Sequence, residues 1–189
     1  MTTSTKDTRE RLLALLRERS FARRKVVLAS GRESDFFVDC KQTVLTAEGH
    51  ALVGALMLDA ALALPTRPLA VAGVELGGCP LASAVALISH QRGTPLDAVY
   101  VRKQAKDHGS QRLLEGDAGL PDGAPVVVVE DVVTTGGSTL AAVEKLRARG
   151  LSIAGVVAIV DRLEGGAENI RAAGLALTSL YTRRDFIPE

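Results

Sequence analysis

Apolar positions recur with a helical period near the start of the chain. Leucines fall on one face and charged residues on the other, which predicts an amphipathic helix over residues 8–19, with Thr5 or Asp7 as its N-cap. Two short apolar runs, at 25–29 and 36–40, lie on either side of a Ser-Gly-Arg turn and predict a pair of strands. These elements precede any alternation of strand and helix, so we expect them to form a small cap on the rest of the protein.

From residue 46 onward, short apolar runs alternate with helical stretches. Five strands are predicted, over residues 69–73, 97–101, 125–130, 153–160 and 175–181. Four helices are predicted around them, the first capped by Thr46, over residues 46–64, 80–91, 138–149 and 163–173. Several of the strands are apolar throughout, which indicates a parallel sheet with helices on both faces. We therefore expect an α/β doubly wound fold, formed as a single domain over residues 1–189, with ligands at the carboxyl ends of the strands.

Composition narrows the classes of partner. The chain has 47% hydrophobic and 24% charged residues, which is ordinary for a soluble protein. A net charge of +1 and 3% aromatic residues without tryptophan give no basis for a nucleic-acid partner. No apolar stretch is long enough to span a bilayer, and the first residues lack the apolar core of a signal peptide. We therefore expect no membrane partner and a cytoplasmic location. Cys40 and Cys79 are expected to be small buried apolar residues.

The strongest chemical signal is segment 126–139, which reads VVVVEDVVTTGGST. An apolar strand ends in the carboxylates Glu130 and Asp131, and a loop of Thr, Gly and Ser residues leads into a helix. Such a loop presents backbone N–H groups to a phosphate, and Gly136 and Gly137 allow positive φ and a close approach of the backbone to the anion. Carboxylates beside a phosphate site suit a ligand with vicinal hydroxyls, so the segment predicts a ribose 5-phosphate site. The alternative is an ordinary strand-to-helix turn with a solvated acidic pair.

This segment resembles the signature of type I phosphoribosyltransferases that binds 5-phosphoribosyl 1-diphosphate (PRPP). The resemblance implies a mainly parallel five-stranded sheet with helices on both faces and a small N-terminal hood, here about residues 1–45. It also implies that Glu130 and Asp131 hold the ribose hydroxyls, directly or through Mg²⁺, and that residues 134–138 wrap the 5-phosphate. The Mg²⁺ is expected to be carried by PRPP near these carboxylates, without a dedicated set of protein ligands.

A second signal is the basic loop, residues 102–109, which reads RKQAKDHG and follows directly on a predicted strand. Its cations would neutralise a departing pyrophosphate, although a solvated charged loop has the same composition. The loop is similar to the mobile catalytic loop of orotate phosphoribosyltransferases. That resemblance implies a homodimer in which loop 102–112 is shared between subunits, and it implies the catalytic residues Lys106, His108 and Asp131. The implied PRPP-binding residues are Arg102, Lys103, Lys106, His108, Glu130, Asp131, Val132, Val133, Thr134, Thr135, Gly136, Gly137 and Ser138.

Two further motifs indicate the acceptor. Residues 30–39, SGRESDFFVD, are similar to the family's hood motif, whose aromatic segment borders orotate; a hairpin with two core aromatics is the alternative. Arg162 follows the strand after the phosphate-loop helix, where the family places an arginine on the orotate carboxylate. A surface salt bridge is the alternative there. By this resemblance the orotate-binding residues are Phe37, Thr134 and Arg162.

The chain departs from the family at two positions. Many members have a lysine before the hood motif, where this chain has Ala29, and a Tyr-Lys pair where it has Leu76-Gly77. We expect backbone N–H groups of Gly77 and Gly78, or the side chain of Lys25 or Lys41, to replace these contacts.

Together these features predict transfer of ribose 5-phosphate from PRPP to orotate, which gives orotidine 5′-phosphate and pyrophosphate in pyrimidine (UMP) biosynthesis. Two alternatives remain. One is a purine phosphoribosyltransferase with the same PRPP loop, and the other is a non-catalytic nucleotide-sensing regulator on the same fold. The basic loop and the hood motif argue against the first, and the intact basic loop argues against the second.

Overall fold

The computed structural model describes residues 4–27, 33–104 and 112–187. Its N-terminal part consists of helix α1 (Thr5–Arg19), strands β1 (Phe21–Val27) and β2 (Glu33–Val38), and the short helix α2 (Lys41–Val44). The two strands pair antiparallel, as predicted, but each begins three or four residues earlier than the apolar runs indicated. The cap of α1 is Ser4, whose hydroxyl accepts from the N–H of Lys6. The prediction of Thr5 or Asp7 was wrong because the helix begins earlier than its apolar face does.

The rest of the chain alternates helices and strands. In chain order these are α3 (Ala47–Leu62), β3 (Ala70–Val74), α4 (Gly78–Gln91), β4 (Asp97–Val101), β5 (Leu114–Glu115), β6 (Pro125–Val133), α5 (Gly137–Ala148), β7 (Ser152–Asp161), α6 (Gly166–Ala172), β8 (Leu177–Thr182) and α7 (Arg183–Phe186). The strands of the main sheet lie in the order β5-β4-β3-β6-β7-β8. Five of them are parallel, which confirms the predicted doubly wound sheet, and the two-residue β5 pairs antiparallel with β4.

The apolar strand β6 is covered on both faces. Val127 and Val129 belong to a buried cluster that includes side chains of α3 and α4. Val126 and Val128 belong to a second cluster, which includes side chains of α5. All four valines are fully buried. Because successive side chains of a strand point to opposite faces, a strand between two helical layers must be apolar at every position.

Some boundaries differ from the prediction. β6 continues past residue 130 to Val133, because the end of β6 still pairs with β7. The helix predicted over 163–173 begins only at Gly166, since Leu163 and Gly165 both adopt left-handed φ, at 57° and 92°. The elements α2, β5 and α7 were not predicted, because they are too short to give a hydrophobic period. Cys40 is buried as predicted, whereas Cys79 is only partly buried.

The hood is closed by the far end of the chain. The rings of Phe21, Phe36 and Phe186 form a cluster with centroids 5.4, 5.5 and 5.6 Å apart. The Tyr181 hydroxyl donates to the carbonyl of Arg9 at 2.6 Å, which ties β8 to α1. Phe36 belongs to the same buried cluster as residues of the sheet, so the hood and the sheet share an apolar core. Within the described ranges, no helix has both the length and the apolar character needed to cross a membrane.

The cap of α3 offers a test of this fold. Thr46 lies at the predicted N-cap, where its hydroxyl accepts from the N–H of Gly49 at 3.1 Å and donates to the carbonyl of Thr43 at 2.8 Å. Thr46→Ala removes both hydrogen bonds, so we expect the free energy of unfolding to fall by about 1 kcal/mol. Thr46→Ser keeps the hydroxyl and should stay within about 0.5 kcal/mol of wild type. Denaturant unfolding measures both, and equal stability of the two variants would contradict the cap.

Candidate active site

The predicted acidic pair lies at the carboxyl end of the central strand β6. Glu130 is only 5% exposed, and Asp131 is half-buried. The Ser138 hydroxyl donates to Glu130 Oε2 at 3.2 Å, and the N–H of Val132 donates to Asp131 Oδ1 at 2.9 Å. The N–H of Asp131 donates to Glu130 Oε1 at 3.3 Å. Glu130 is therefore not part of a solvated strand end, which was the alternative explanation of this segment.

Burial gives Glu130 unusual acid–base behaviour. Loss of hydration raises the pKa of Glu130 to about 8, and the charge of Asp131 adds to this increase, whereas the Ser138 hydroxyl opposes it. Two adjacent carboxylates in a partly dry place are unfavourable when both are ionised. A cation at this position would offset the repulsion between them.

The loop after β6 has the geometry of an anion site. Gly136 has a left-handed φ of 79°, and α5 begins at the next residue. Gly137 does not have positive φ and is the first residue of α5. Thr135, Gly137 and Ser138 are exposed, and Thr134 is half-buried. The first N–H groups of α5, which have no partner within the helix, therefore lie at an accessible surface where a phosphate can reach them.

α6 supports this loop from behind. The side-chain amide of Asn169 donates to the carbonyl of Thr135 at 2.9 Å. A Cβ atom on Gly166 would lie 2.4 Å from Val133 Cγ1 and 2.7 Å from the carbonyl oxygen of Thr134. The start of α6 thus packs against the loop so closely that no side chain fits at Gly166. The conformation of the loop therefore depends on residues of α6, which lie outside the loop in the sequence.

A second loop, between β3 and α4, encloses Asp131. A Cβ atom on Gly77 would lie 2.2 Å from Asp131 Oδ2, and one on Gly73 would lie 2.1 Å from the carbonyl oxygen of Gly78. The peptide bond between Glu75 and Leu76 is cis. Any side chain at position 77 would displace the carboxylate or the loop. At position 77, where many family members have a lysine, this fold has room only for glycine.

These two loops, the end of β6 and the start of α2 surround a cavity of about 280 Å³. Its lining residues are mostly charged or polar: Lys41, Glu75, Leu76, Gly77, Lys103, Glu130, Asp131, Val132 and Ser138. Lys41 is the first residue of α2, and its ammonium lies 2.6 Å from the carboxylate of Asp39. Lys103 follows β4 and belongs to the basic loop. Two lysines and two adjacent carboxylates thus meet in one cavity.

The predicted orotate-binding residues lie elsewhere, since none of them lines this cavity. Arg162 is buried, donates to the carbonyl of Phe36 at 3.1 Å and donates to Glu164 Oε1 at 3.0 Å. Its guanidinium carbon lies 5.5 Å from the centroid of the Phe36 ring. Phe37 is half-buried in the hood, and Thr134 lies in the phosphate loop. A solvent-exposed salt bridge is therefore excluded for Arg162, which packs against the hood.

Several predicted residues lie outside the described part of the chain. They are Ala29, Ser30, Gly31, Arg32, Lys106 and His108. The side chain of Lys25, one of the two proposed substitute cations, is also outside it. Arg102 is described, and its guanidinium lies 3.8 Å from the carboxylate of Glu115.

Glu75 also lines the cavity, although the sequence patterns did not indicate it. Glu75 follows directly on the apolar run of β3, and its carboxylate accepts from the N–H of Lys103 at 2.7 Å. The rule that ligands bind at the carboxyl ends of parallel strands could have found it. The contacts of Lys145 on α5, whose ammonium donates to the carbonyl oxygens of Arg102 and Lys103, were not predicted either, because a helical sequence does not indicate which distant backbone groups a lysine will contact.

The acidic pair is the place where a divalent cation would bind. Mg²⁺ prefers oxygen ligands, and Glu130, Asp131 and Ser138 line the cavity with oxygen atoms. Burial and the charge of Asp131 raise the pKa of Glu130, and a bound cation would favour its ionised form. In residues 4–27, 33–104 and 112–187, no three His, Cys, Asp or Glu side chains converge on a possible metal site. Two carboxylates leave most positions of an octahedral ion to a bound substrate and to water.

Comparison with known proteins agrees with this geometry. Residues 45–172 match the family described as phosphoribosyl transferase domain. An orotate phosphoribosyltransferase of Sorangium cellulosum is 72% identical over 181 residues, which cover 96% of this chain and 94% of that protein. The orotate phosphoribosyltransferase of Mycobacterium tuberculosis H37Rv in complex with Fe(III) dicitrate has a TM-score of 0.81 and 40% identity, and the match covers 95% of this chain and 99% of that chain. The same mycobacterial enzyme in complex with PRPP has a TM-score of 0.77 and 37% identity, covering 95% and 98%.

The chain therefore belongs to the phosphoribosyltransferase family, which confirms the fold and the family expected from segment 126–139. The similarity to the Sorangium protein extends over nearly the whole of both chains. Within the family, the chain belongs to the orotate phosphoribosyltransferases, the group that the basic loop and the hood motif indicated.

We expect Glu130 to lower the stability of the ligand-free protein as pH rises. Its pKa is about 8 in the folded protein and 4.5 in an unfolded chain, so the unfolded chain releases its proton first. The free energy of unfolding should therefore fall between these two pH values, by at most about 1.4 kcal/mol per pH unit. Glu130→Gln cannot ionise and should weaken this fall. Thermal melting across the pH range should give the variant a higher Tm than wild type near pH 8 but not near pH 4.5.

Glu144→Gln is the control, because Glu144 is an exposed residue of α5 and its variant should follow the wild-type profile. Parallel profiles of Glu130→Gln and wild type would contradict the cost assigned to burial of Glu130.

Gly77→Ala tests the close approach of the second loop to Asp131. The new Cβ has no room beside the carboxylate, so Asp131 must move. Asp131 is predicted to be catalytic, and displacement of such a group by about 1 Å can cost on the order of 100-fold in rate. We therefore expect a loss of that size in the reaction of PRPP with orotate. Gly119→Ala is the matched control, because a Cβ there meets nothing within 4 Å. Equal rates for the two alanine variants, measured in the steady state, would show that the carboxylate tolerates displacement.

Proposed function

We propose that the protein transfers ribose 5-phosphate from PRPP to orotate, giving orotidine 5′-phosphate and pyrophosphate, as a step in the de novo synthesis of UMP. The observation that carries this proposal is the cavity in which Glu130 and Asp131 meet Lys41 and Lys103, next to the phosphate loop. Carboxylates suit ribose hydroxyls, lysines suit a pyrophosphate, and a helix N-terminus suits a 5-phosphate. The site thus offers a partner for each part of PRPP, and membership of the orotate phosphoribosyltransferases supports orotate as the acceptor.

In this proposal three groups of residues divide the binding of PRPP. Residues 132–138 supply the backbone N–H groups and hydroxyls that bind the 5-phosphate. Glu130 and Asp131 hold the two ribose hydroxyls, directly or through Mg²⁺. The pyrophosphate is bound by the cations Lys41, Arg102, Lys103 and Lys106, and by a ring N–H of neutral His108. Lys41 takes this role because it lines the cavity, and it replaces a cation that the loop at Leu76-Gly77 lacks.

The reaction exchanges one bond at C1 of the ribose. The bond from C1 to the pyrophosphate oxygen breaks, and its electron pair leaves with pyrophosphate. A bond forms from C1 to N1 of orotate, and the N1 proton passes to a base, for which we assign His108. Positive charge develops on the ribose between these events, and the carboxylate of Asp131 stabilises it. Lys106 neutralises the negative charge on the departing pyrophosphate. The positive ribose and the negative leaving group thus each face a side chain of opposite charge.

We assign Mg²⁺ to the acidic pair. Glu130 and Asp131 would hold it, with PRPP and water as its other ligands. When bound, it supplies positive charge that offsets the repulsion between the carboxylates and makes pyrophosphate a better leaving group.

The acceptor is assigned to the side of the site that the hood covers, with Phe37, Thr134 and Arg162 as its contacts. Glu164 and the carbonyl of Phe36 fix the orientation of the Arg162 guanidinium. A guanidinium held in one plane is suited to the planar carboxylate of orotate.

We also propose that the protein acts as a homodimer in the cytoplasm. Loop 102–112 of each subunit would contribute to the site of the other, as the resemblance of the basic loop implies. The proposed partners are small-molecule substrates, with neither nucleic acid nor membrane involved.

An absorbance assay tests the reaction. We expect loss of the orotate absorbance that depends on both PRPP and Mg²⁺, with no turnover of adenine, hypoxanthine or uracil under the same conditions. Turnover of a purine in place of orotate would instead identify a purine phosphoribosyltransferase. Binding of PRPP without turnover of any base would favour the nucleotide-sensing regulator.

A further inference from the structure

Lys103 is held by side chains from two other parts of the fold. Lys145 Nζ donates to the carbonyl oxygen of Arg102 at 2.7 Å and to that of Lys103 at 2.8 Å. On its other side, the N–H of Lys103 donates to Glu75 Oε1 at 2.7 Å. The peptide groups on both sides of the Lys103 Cα atom are thus bound by charged side chains, and hydrogen bonds of this kind are about twice as strong as those between neutral groups.

The two side chains come from elements that form the site. Lys145 lies on α5, about two turns after the helix begins at the phosphate loop. Glu75 follows β3 and lines the cavity that holds the acidic pair. Lys103 lines the same cavity. Hydrogen bonds therefore connect the backbone at Lys103 both to the helix that begins at the phosphate loop and to the loop that encloses Asp131.

Lys145 differs in this respect from an ordinary helix cation. Arg147, two residues further along α5, is exposed and pairs with Glu144 at i−3, a contact that is usually worth little. Lys145 is half-buried, and its ammonium bonds two consecutive carbonyl oxygens more than 40 residues away in the chain. A lysine that only made the surface of α5 polar would not need to bind these two carbonyl groups.

We propose that Lys145 and Glu75 are positioning residues, which fix the backbone of Arg102 and Lys103 so that the Lys103 ammonium stays at the cavity. This inference rests on the proposed function and deepens it. It adds two residues that act through Lys103 on the pyrophosphate end of PRPP. It also links the 5-phosphate end to the pyrophosphate end, since α5 begins at one and binds the other. The contact of Lys145 with the backbone at Lys103 thus fixes the distance between the phosphate loop and the Lys103 ammonium.

Lys145→Met tests the proposal, because methionine keeps most of the apolar length of lysine and removes the donor. We expect kcat to fall on the order of 10- to 100-fold, as misplacement of a charged group by about 1 Å would cause. The KM for orotate should stay close to that of wild type, since the acceptor is bound elsewhere. Lys145→Arg should recover most of the loss, because a guanidinium can donate to both carbonyl oxygens.

Arg147→Met is the matched control, since it removes a cation from the same helix without touching the basic loop. It should leave kcat at the wild-type value. A Lys145→Met enzyme that turns over as fast as Arg147→Met would overturn the proposal, and so would an equal loss of kcat and of orotate affinity.

Hydrogen exchange supplies a readout that does not depend on turnover. The amide of Lys103 should exchange faster in Lys145→Met and in Glu75→Ala than in wild type and in Arg147→Met. Unchanged exchange in both variants would overturn the clamp. Where Lys145→Met does not fold, Lys145→Leu, which also lacks a donor, takes its place in both measurements. A wild-type protein that fails to use orotate contradicts the proposed function, and the exchange of Lys103 still decides the positioning.

Discussion

Two neighbouring carboxylates at the buried end of a strand are the constraint on which this site depends. Glu130 and Asp131 repel each other, and Glu130 has lost most of its water. The surroundings respond with a hydroxyl from Ser138, with backbone N–H groups and with lysines on the same cavity. None of these removes the unfavourable interaction entirely, so the ligand-free protein carries an electrostatic cost. A cationic ligand that binds there recovers this free energy, which is the thermodynamic basis of coupling between binding and stability.

The position of the pair in the sheet explains why so many separate segments meet there. The chain proceeds from β3 outward to β4 on one side, and from β6 outward to β7 and β8 on the other. Between β3 and β6 the direction of progression reverses, and the loops that follow these two strands diverge and leave a crevice. Glu75 follows β3, and Glu130 lies near the end of β6, so the crevice has an acidic residue from each side. The doubly wound topology creates the space, and the loop sequences give it its chemistry.

Local patterns in the sequence predicted most of the fold and the centre of the site. The apolar strands, the cap at Thr46 and the acidic pair before a Thr/Gly/Ser loop are all encoded within a few neighbouring residues. Features that depend on distant contacts were not predictable in the same way. The extension of β6 to Val133 follows from pairing with β7, and the contacts of Glu75 and Lys145 follow from how loops and helices pack. Short elements such as α2 carry no period, although α2 brings Lys41 to the cavity.

The aromatic cluster that closes the hood also bears on how the protein is made. Phe21 and Phe36 lie far upstream in the sequence of Phe186, which completes the cluster. A ribosome releases the N-terminal part first, so these two rings emerge long before their third partner exists. The same holds for Arg9, whose backbone binds the Tyr181 hydroxyl. The hood, which covers the acceptor side in the proposed function, can reach its final packing only after the segment that contains Tyr181 and Phe186 has been synthesised.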